Sequence, residues 1–148
     1  MNFIFISPQF PHTYWSFCDR LHRNGVNVLG IGDSPYDSLE PALKRALTEY
    51  YRVDSLEDYN QVFRAVAFFS FKYGKIDWLE SNNEYWLEQD ARLRTDFHIT
   101  TGADLNEVAC FKSKSAMKAY YAKAAVPTAR CHKITTEAAA KEFLQTVG

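Results

Sequence analysis

The sequence predicts an α/β fold: a Rossmann-like open parallel sheet of four or five strands, with helices on both faces. Three observations carry this. Short apolar runs rich in β-branched and aromatic residues alternate with segments of helical period. The connections between them are short, which favours a parallel sheet wrapped by helices. The right-handed crossover rule then leaves few topologies.

Residues 3–7 (FIFIS) are apolar in succession and bounded by Pro8, the pattern of a strand buried on both faces. Thr13 is the expected N-cap of a helix in which Tyr14, Phe17, Cys18 and Leu21 keep helical spacing, with Asn24-Gly25 as its stop. A second strand covers 26–31 and ends at Gly32-Asp33. A proline-containing turn (34–38), a short helix (about 40–47) and a third strand (50–53) follow. Asp54, Ser55 and Asp58 set up a helix whose inner face holds Tyr59, Val62, Phe63, Val66 and Ser70, and which stops at Gly74. A fourth strand (76–80) leads through Ser81-Asn82-Asn83 into a helix over about 84–97. Glu88/Arg92 and Asp90/Arg94 at i,i+4 assign the outer face of that helix to solvent. The first domain is expected to close at Gly102.

The remainder, 103–148, reads as a connector and the opening of a second lobe. Asp104-x-x-Glu107 resembles a capping box for a short helix through Phe111. A helix over 113–124 carries Met117, Tyr120, Tyr121 and Ala124 on one stripe, expected to face a core. Val126-Pro127 ends it, because proline lacks an N–H and drives the residue before it towards extended geometry. A short strand (129–134) and a last helix from about Thr136 complete the reading.

Composition bounds the function. The 148 residues are 47% hydrophobic and 16% aromatic, ordinary for a folded domain apart from the ring content. Net charge is −1, with basic and acidic residues interspersed, so there is no electrostatic footprint for nucleic acid or an anionic membrane. The longest apolar run, VAFFSF, is far too short to span a bilayer, and MNFIFIS lacks the basic region of a signal peptide. Cys18, Cys110 and Cys131 read as free thiols of a cytoplasmic protein.

Open parallel sheets bind ligands at the carboxyl ends of their strands. The loops there hold Gln9 and His12, then Asp33, then Asn82, Asn83 and Glu84. The first loop contains prolines, a phenylalanine and a histidine where a dinucleotide fold needs G-x-G-x-x-G, which excludes classical NAD(P) or FAD binding. The Walker motif is absent too. Asp33 reads as a turn-capping residue. Asn82, Asn83 and Glu84 offer amide donors, acceptors and a carboxylate for a substrate. His12 and Gln9 are further candidates. Residues 68–71 and Tyr85-Trp86 read as packing surfaces. His12, His22, His98 and His132 show no metal-ligand spacing, and no Ser/His/Asp or Cys/His catalytic grouping emerges.

The order of elements, the stretch IDWLESNNEYWLEQDARLRTDFHITTG, and the lysine-bearing helix followed by "AAVP" together resemble the N-terminal part of ATP-grasp ligases. Biotin carboxylase and the carbamoyl-phosphate synthase large subunit are relatives of that kind. The family often has "AGVP" where this chain has "AAVP". The resemblance implies a pre-ATP-grasp domain followed by an incomplete nucleotide lobe. It implies that Lys114, about thirteen residues before the proline of "VP", reaches an ATP phosphate. The implied full-length chemistry uses ATP and Mg²⁺ to activate a carboxylate as an acyl phosphate, which an amine then attacks. It also implies that the reading frame continues past Gly148 to a second lysine and to acidic Mg²⁺ ligands, so this stretch alone is expected to bind ATP weakly or not at all. Relatives dimerise through the opening domain, and the aromatic content permits it. The alternative is a stand-alone Rossmann-like binding or scaffold module without catalysis.

Overall fold

The computed structural model describes residues 1–147. The chain divides into two units, Met1–Asn106 and one beginning at Glu107.

The first unit is built on four parallel strands: β1 (Asn2–Ile6), β2 (Asn27–Gly32), β3 (Glu49–Arg52) and β4 (Trp78–Glu80), in the order β3-β2-β1-β4. The register pairs Ile4 with Leu29 and Leu79 across three strands. Four helices connect and cover them: α1 (Trp15–Arg23), α2 (Pro41–Ala46), α3 (Tyr59–Tyr73) and α4 (Leu87–Asp96). The fold is α/β, with helices on both faces of the sheet.

Strand alternation decides which side chains meet which helices. Ile4, Ile6, Leu29, Ile31 and Leu79 point to one face and pack with Val62, Ala65, Val66 and Phe69 of α3 and Leu93 of α4. Phe5 and Val28 point to the other face and pack with Cys18 of α1 and with Leu43 and Ala46 of α2. Both faces are closed, so the strands need apolar residues at nearly every position, as FIFIS shows.

Helix boundaries follow local chemistry. Asp58 caps α3 by accepting from the amides of Asn60 and Gln61 at 3.0 and 3.3 Å. Gly74 stops it with φ +80°, a conformation that costs glycine nothing. Thr13 does not cap α1. A 3₁₀ turn at His12–Tyr14 begins the helix instead, and Tyr14 N–H bonds the Pro11 carbonyl at 2.9 Å. The Thr13 carbonyl meanwhile accepts from Ser16 Oγ. Similarly, the helix expected over 84–97 opens with a 3₁₀ turn at Glu84–Trp86 before α4. The run 68–71 divides: Phe69 is fully buried, while Phe71 lies 93% exposed on the outer side of α3.

The second unit contains α5 (Ala109–Lys112), α6 (Lys114–Lys123) and α7 (Glu137–Val147). Asp104 Oδ1 accepts from Asn106 N, four-residue α5 begins only at Ala109, and no side chain caps it. The strand expected over 129–134 is absent, since the segment has no neighbouring strand to pair with. It is an irregular connection, in which Lys118 Nζ donates to Ala129 O at 2.6 Å and Arg130 Nη1 to Thr146 O at 2.7 Å. The α6 stripe does not reach a core: Tyr120 and Tyr121 are 55% and 38% exposed, and α6 buries no residue. Among the described residues of this unit, only Val108, just before α5, is buried.

Candidate functional site

A cavity of about 670 Å³ opens at the carboxyl ends of the strands. Its polar lining includes Gln9, His12, Asp33, Glu40 and Asn83; Phe10, Trp15, Tyr85 and Trp86 form aromatic walls.

The loop after β1 begins with Ser7, buried and left-handed at φ +56°. That is a sparsely populated conformation for a residue with a Cβ, of the kind concentrated at ligand sites. Its N–H continues the ladder to Ile31 O at 2.8 Å. Gln9 then crosses to the end of β2, where its Nε2 donates to Asp33 Oδ1 at 2.9 Å. A carboxylate only accepts, so the nitrogen must face Asp33 and the amide oxygen must face away. That oxygen is shut from solvent and has no hydrogen-bond partner. Gly32 makes this crossing possible: a Cβ there would fall 2.5 Å from Gln9 Oε1 and against the Tyr50 hydroxyl. Tyr50 donates to Ser34 O at 2.8 Å. Burial, with the nearby Asp33 charge, pushes its phenol up to about 12. Asp33 therefore receives Gln9 at the cavity edge and does not cap the turn.

His12 sits on the 3₁₀ turn with its side chain 84% exposed and Nδ1 3.9 Å from Glu40 Oε1, an ion pair only when the imidazole is protonated. Asn83 Oδ1 caps the Glu84–Trp86 turn by accepting from Tyr85 N at 3.0 Å. That turn presents Tyr85 and Trp86, with ring centroids 4.6 Å apart and nearly perpendicular planes. The Tyr85 hydroxyl donates to Glu57 Oε1 at 2.7 Å, which fixes the wall. Tyr85 is 64% exposed and so lines the cavity without belonging to the core.

Gln9, His12 and Asn83 thus line one cavity. Asn82 and Glu84 do not. Asn82 is left-handed at φ +55°, and its carbonyl accepts from the Tyr14 hydroxyl at 2.5 Å, so it lines a separate groove with Phe3 and Phe17. Glu84 opens the 3₁₀ turn and is exposed. Lys114 is the first residue of α6, in the second unit, behind an N-cap in which Ser113 Oγ accepts from Ala116 N at 3.2 Å.

Beneath the Asn82-Asn83 loop lies a buried polar network that sequence reasoning missed. Asp90 is fully buried. Its Oδ2 accepts from Ser81 N at 2.9 Å and from Ser81 Oγ at 2.5 Å, while Oδ1 has no partner. Burial pushes the Asp90 carboxyl up to about 7 against the lowering effect of the Ser81 bonds, and the Glu80 charge adds to the rise. Arg94, 2% exposed, donates to Leu79 O at 2.8 Å, Glu80 Oε2 at 3.2 Å and Ala103 O at 2.8 Å. The Asp90/Arg94 pair is therefore interior, not solvated. Glu88 and Arg92 are exposed, and the Arg92 guanidinium lies 3.7 Å over the Tyr59 ring. A signal for this was present: Trp86, Asp90, Leu93 and Phe97 share one helical stripe, which sets Asp90 among apolar residues.

Among the described residues no group of three His, Cys, Asp or Glu is placed to hold a metal, and no helix is long and apolar enough to cross a membrane.

No family model matches the chain, and no curated protein matches it in sequence. A solved structure does: an L-amino acid ligase from Bacillus licheniformis superposes with a TM-score of 0.67 at 15% identity, over 93% of this chain and 33% of the ligase. The chain spans about one third of the length of that ligase. At this identity the likeness is one of fold, and it establishes that almost the whole chain is arranged like part of an L-amino acid ligase.

Proposed function

We propose that this chain is the front part of an ATP-dependent ligase that joins a carboxylate to an amine through an acyl phosphate. The first unit supplies substrate-site loops, and the second supplies one wall of the ATP site. The observation that carries this reading is the superposition of nearly the whole chain on a ligase, with a cavity at the carboxyl ends of the parallel strands. Function does not follow from fold alone, so the residues must also suit the chemistry. Lys114 does: it stands at the start of α6 between Ser113 and Ser115, whose hydroxyls bond each other, and brings a cation and a hydroxyl donor for a phosphate. The Mg²⁺ part is different. Among the described residues no group of three His, Cys, Asp or Glu is placed to hold it. In this scheme Gln9, His12 and Asn83 position substrate, and the Ser81–Asp90 contact holds the loop that carries Asn83. Three unpaired cysteines suit a reducing cytoplasm.

The test is ADP release by the protein encoded by the full reading frame, measured against a panel of carboxylates paired with amines. Release with at least one pair, lost on Lys114→Ala, is expected. A reading frame that stops at Gly148, or no release with any pair, favours the non-catalytic binding module.

A further inference from the structure

We infer that the cavity at the strand ends takes the ammonium group of an amine-bearing ligand with an apolar body. This rests on the ligase reading only for its place in a reaction, where it would seat the amine substrate and not the carboxylate or the nucleotide.

Three features of the lining point to a cation. First, two carboxylates, Asp33 and Glu40, line the cavity, and among the described residues no lysine or arginine does. The basic groups nearby are turned to other tasks. Lys44 Nζ donates to the Asp37 carbonyl at 2.9 Å and stands 5.1 Å from the Tyr36 ring centroid, and His12 lies 3.9 Å from Glu40. A phosphate or carboxylate ligand would meet two like charges and no fixed cation. Second, the Gln9 amide adds no positive charge to offset the two carboxylates: its nitrogen donates to Asp33, and its oxygen is shut from solvent against Gly32. An ammonium carries three donors and no acceptor, which suits the Asp33 and Glu40 carboxylates; an anion does not. Third, Phe10, Trp15, Tyr85 and Trp86 line the same space. Aromatic walls beside carboxylates attract organic cations through the ring quadrupole and bury the apolar part of the ligand.

The walls are held in place independently of any ligand. Glu57 fixes Tyr85, Asn83 caps the turn that carries Trp86, and Tyr14 ties the first loop to the Asn82 carbonyl. The site is therefore formed beforehand, and a ligand need not order it.

The test is calorimetric and NMR titration of the complete chain with 2-phenylethylamine, with its anionic counterpart 3-phenylpropionate and with inorganic phosphate, none of which requires ATP. The amine is expected to bind about ten-fold tighter than 3-phenylpropionate, and Asp33→Asn and Glu40→Gln are each expected to weaken it about five-fold, as for partly exposed charge pairs. Thermal unfolding of both exposed-site variants serves as the control for folding. Equal or tighter binding of 3-phenylpropionate or phosphate overturns the inference. So does amine binding that survives both substitutions, or its absence up to about 10 mM. Because these titrations need no turnover, they can fail while ADP release succeeds, and the reverse.

Discussion

Asp90 shows how one side chain can set both the geometry of a loop and the response of the molecule to pH. It is enclosed by α4 and the end of β4, and only Ser81 donates to it. Glu80 and Arg94 are the charged groups that act on it; burial, with Glu80 adding to it, outweighs the lowering by Arg94 and the Ser81 bonds. Its folded pKa of about 7 lies above the unfolded value of about 3.9. The folded state therefore holds more protons between those values, and stability falls as pH rises through them. The contribution is complete below about pH 4 and gone above about pH 7, with a slope of at most about 1.4 kcal/mol per pH unit. Asp90→Asn removes this dependence while keeping an acceptor for Ser81. Urea unfolding at a series of pH values should show the wild-type advantage over the variant shrinking between about pH 4 and 7. A constant difference would mean that Asp90 does not bind a proton in the folded state.

At the level of elements, what was legible depended on how local the determinant is. The apolar runs of β1 and β2, the Asp58 cap and the Gly74 stop are decided within a few residues, and the structure has them where the pattern puts them. The i,i+4 pairs on α4 are a different matter. Glu88/Arg92 and Asp90/Arg94 look alike in the chain, yet two residues of offset turn a helix by roughly 200°, so only one pair can face water. What decides between them is the Ser81 loop packed against the helix, a contact nine residues away in sequence. The cavity was legible in its polar residues at strand ends and illegible in its walls, because Trp15, Tyr85 and Glu40 come together only through turns that residue type does not specify. The strand expected at 129–134 failed for a related reason: a strand exists only with a partner. The end of α6 invites a direct test. Ala125 is left-handed at φ +54°, and Val126 N–H reaches back to Tyr121 O at 2.9 Å. For alanine that conformation costs about 1–2 kcal/mol, of which the greater unfolded freedom of glycine would cancel about 0.4–1. Ala125→Gly should therefore slow hydrogen exchange at the Val126 amide by roughly two- to five-fold. Unchanged or faster exchange would show that α6 ends in another way.

Across the whole molecule, stability is distributed unevenly between the two units. The first holds two apolar clusters, one on each face of the sheet, and each draws on residues distant in sequence. The second holds α5, α6 and α7, none of which buries a residue. Isolated helices below about 12–15 residues are marginal in water, and α6 and α7 fall below that length. A chain shortened to 1–106 should therefore unfold cooperatively with a midpoint within about 4 °C of the complete chain, while a 107–148 peptide should show little helix by circular dichroism. A drop in midpoint of more than about 10 °C would locate part of the essential packing beyond Asn106. The same shortened chain separates binding from chemistry. Every residue lining the cavity lies between Ser7 and Trp86, so 1–106 should keep its affinity for 2-phenylethylamine. On the proposed ligase reading, deleting 107–148 from the protein encoded by the full reading frame should abolish ADP release, because Lys114 goes with it. If that deletion instead left ADP release intact, phosphate contact through Lys114 would have no part in the reaction.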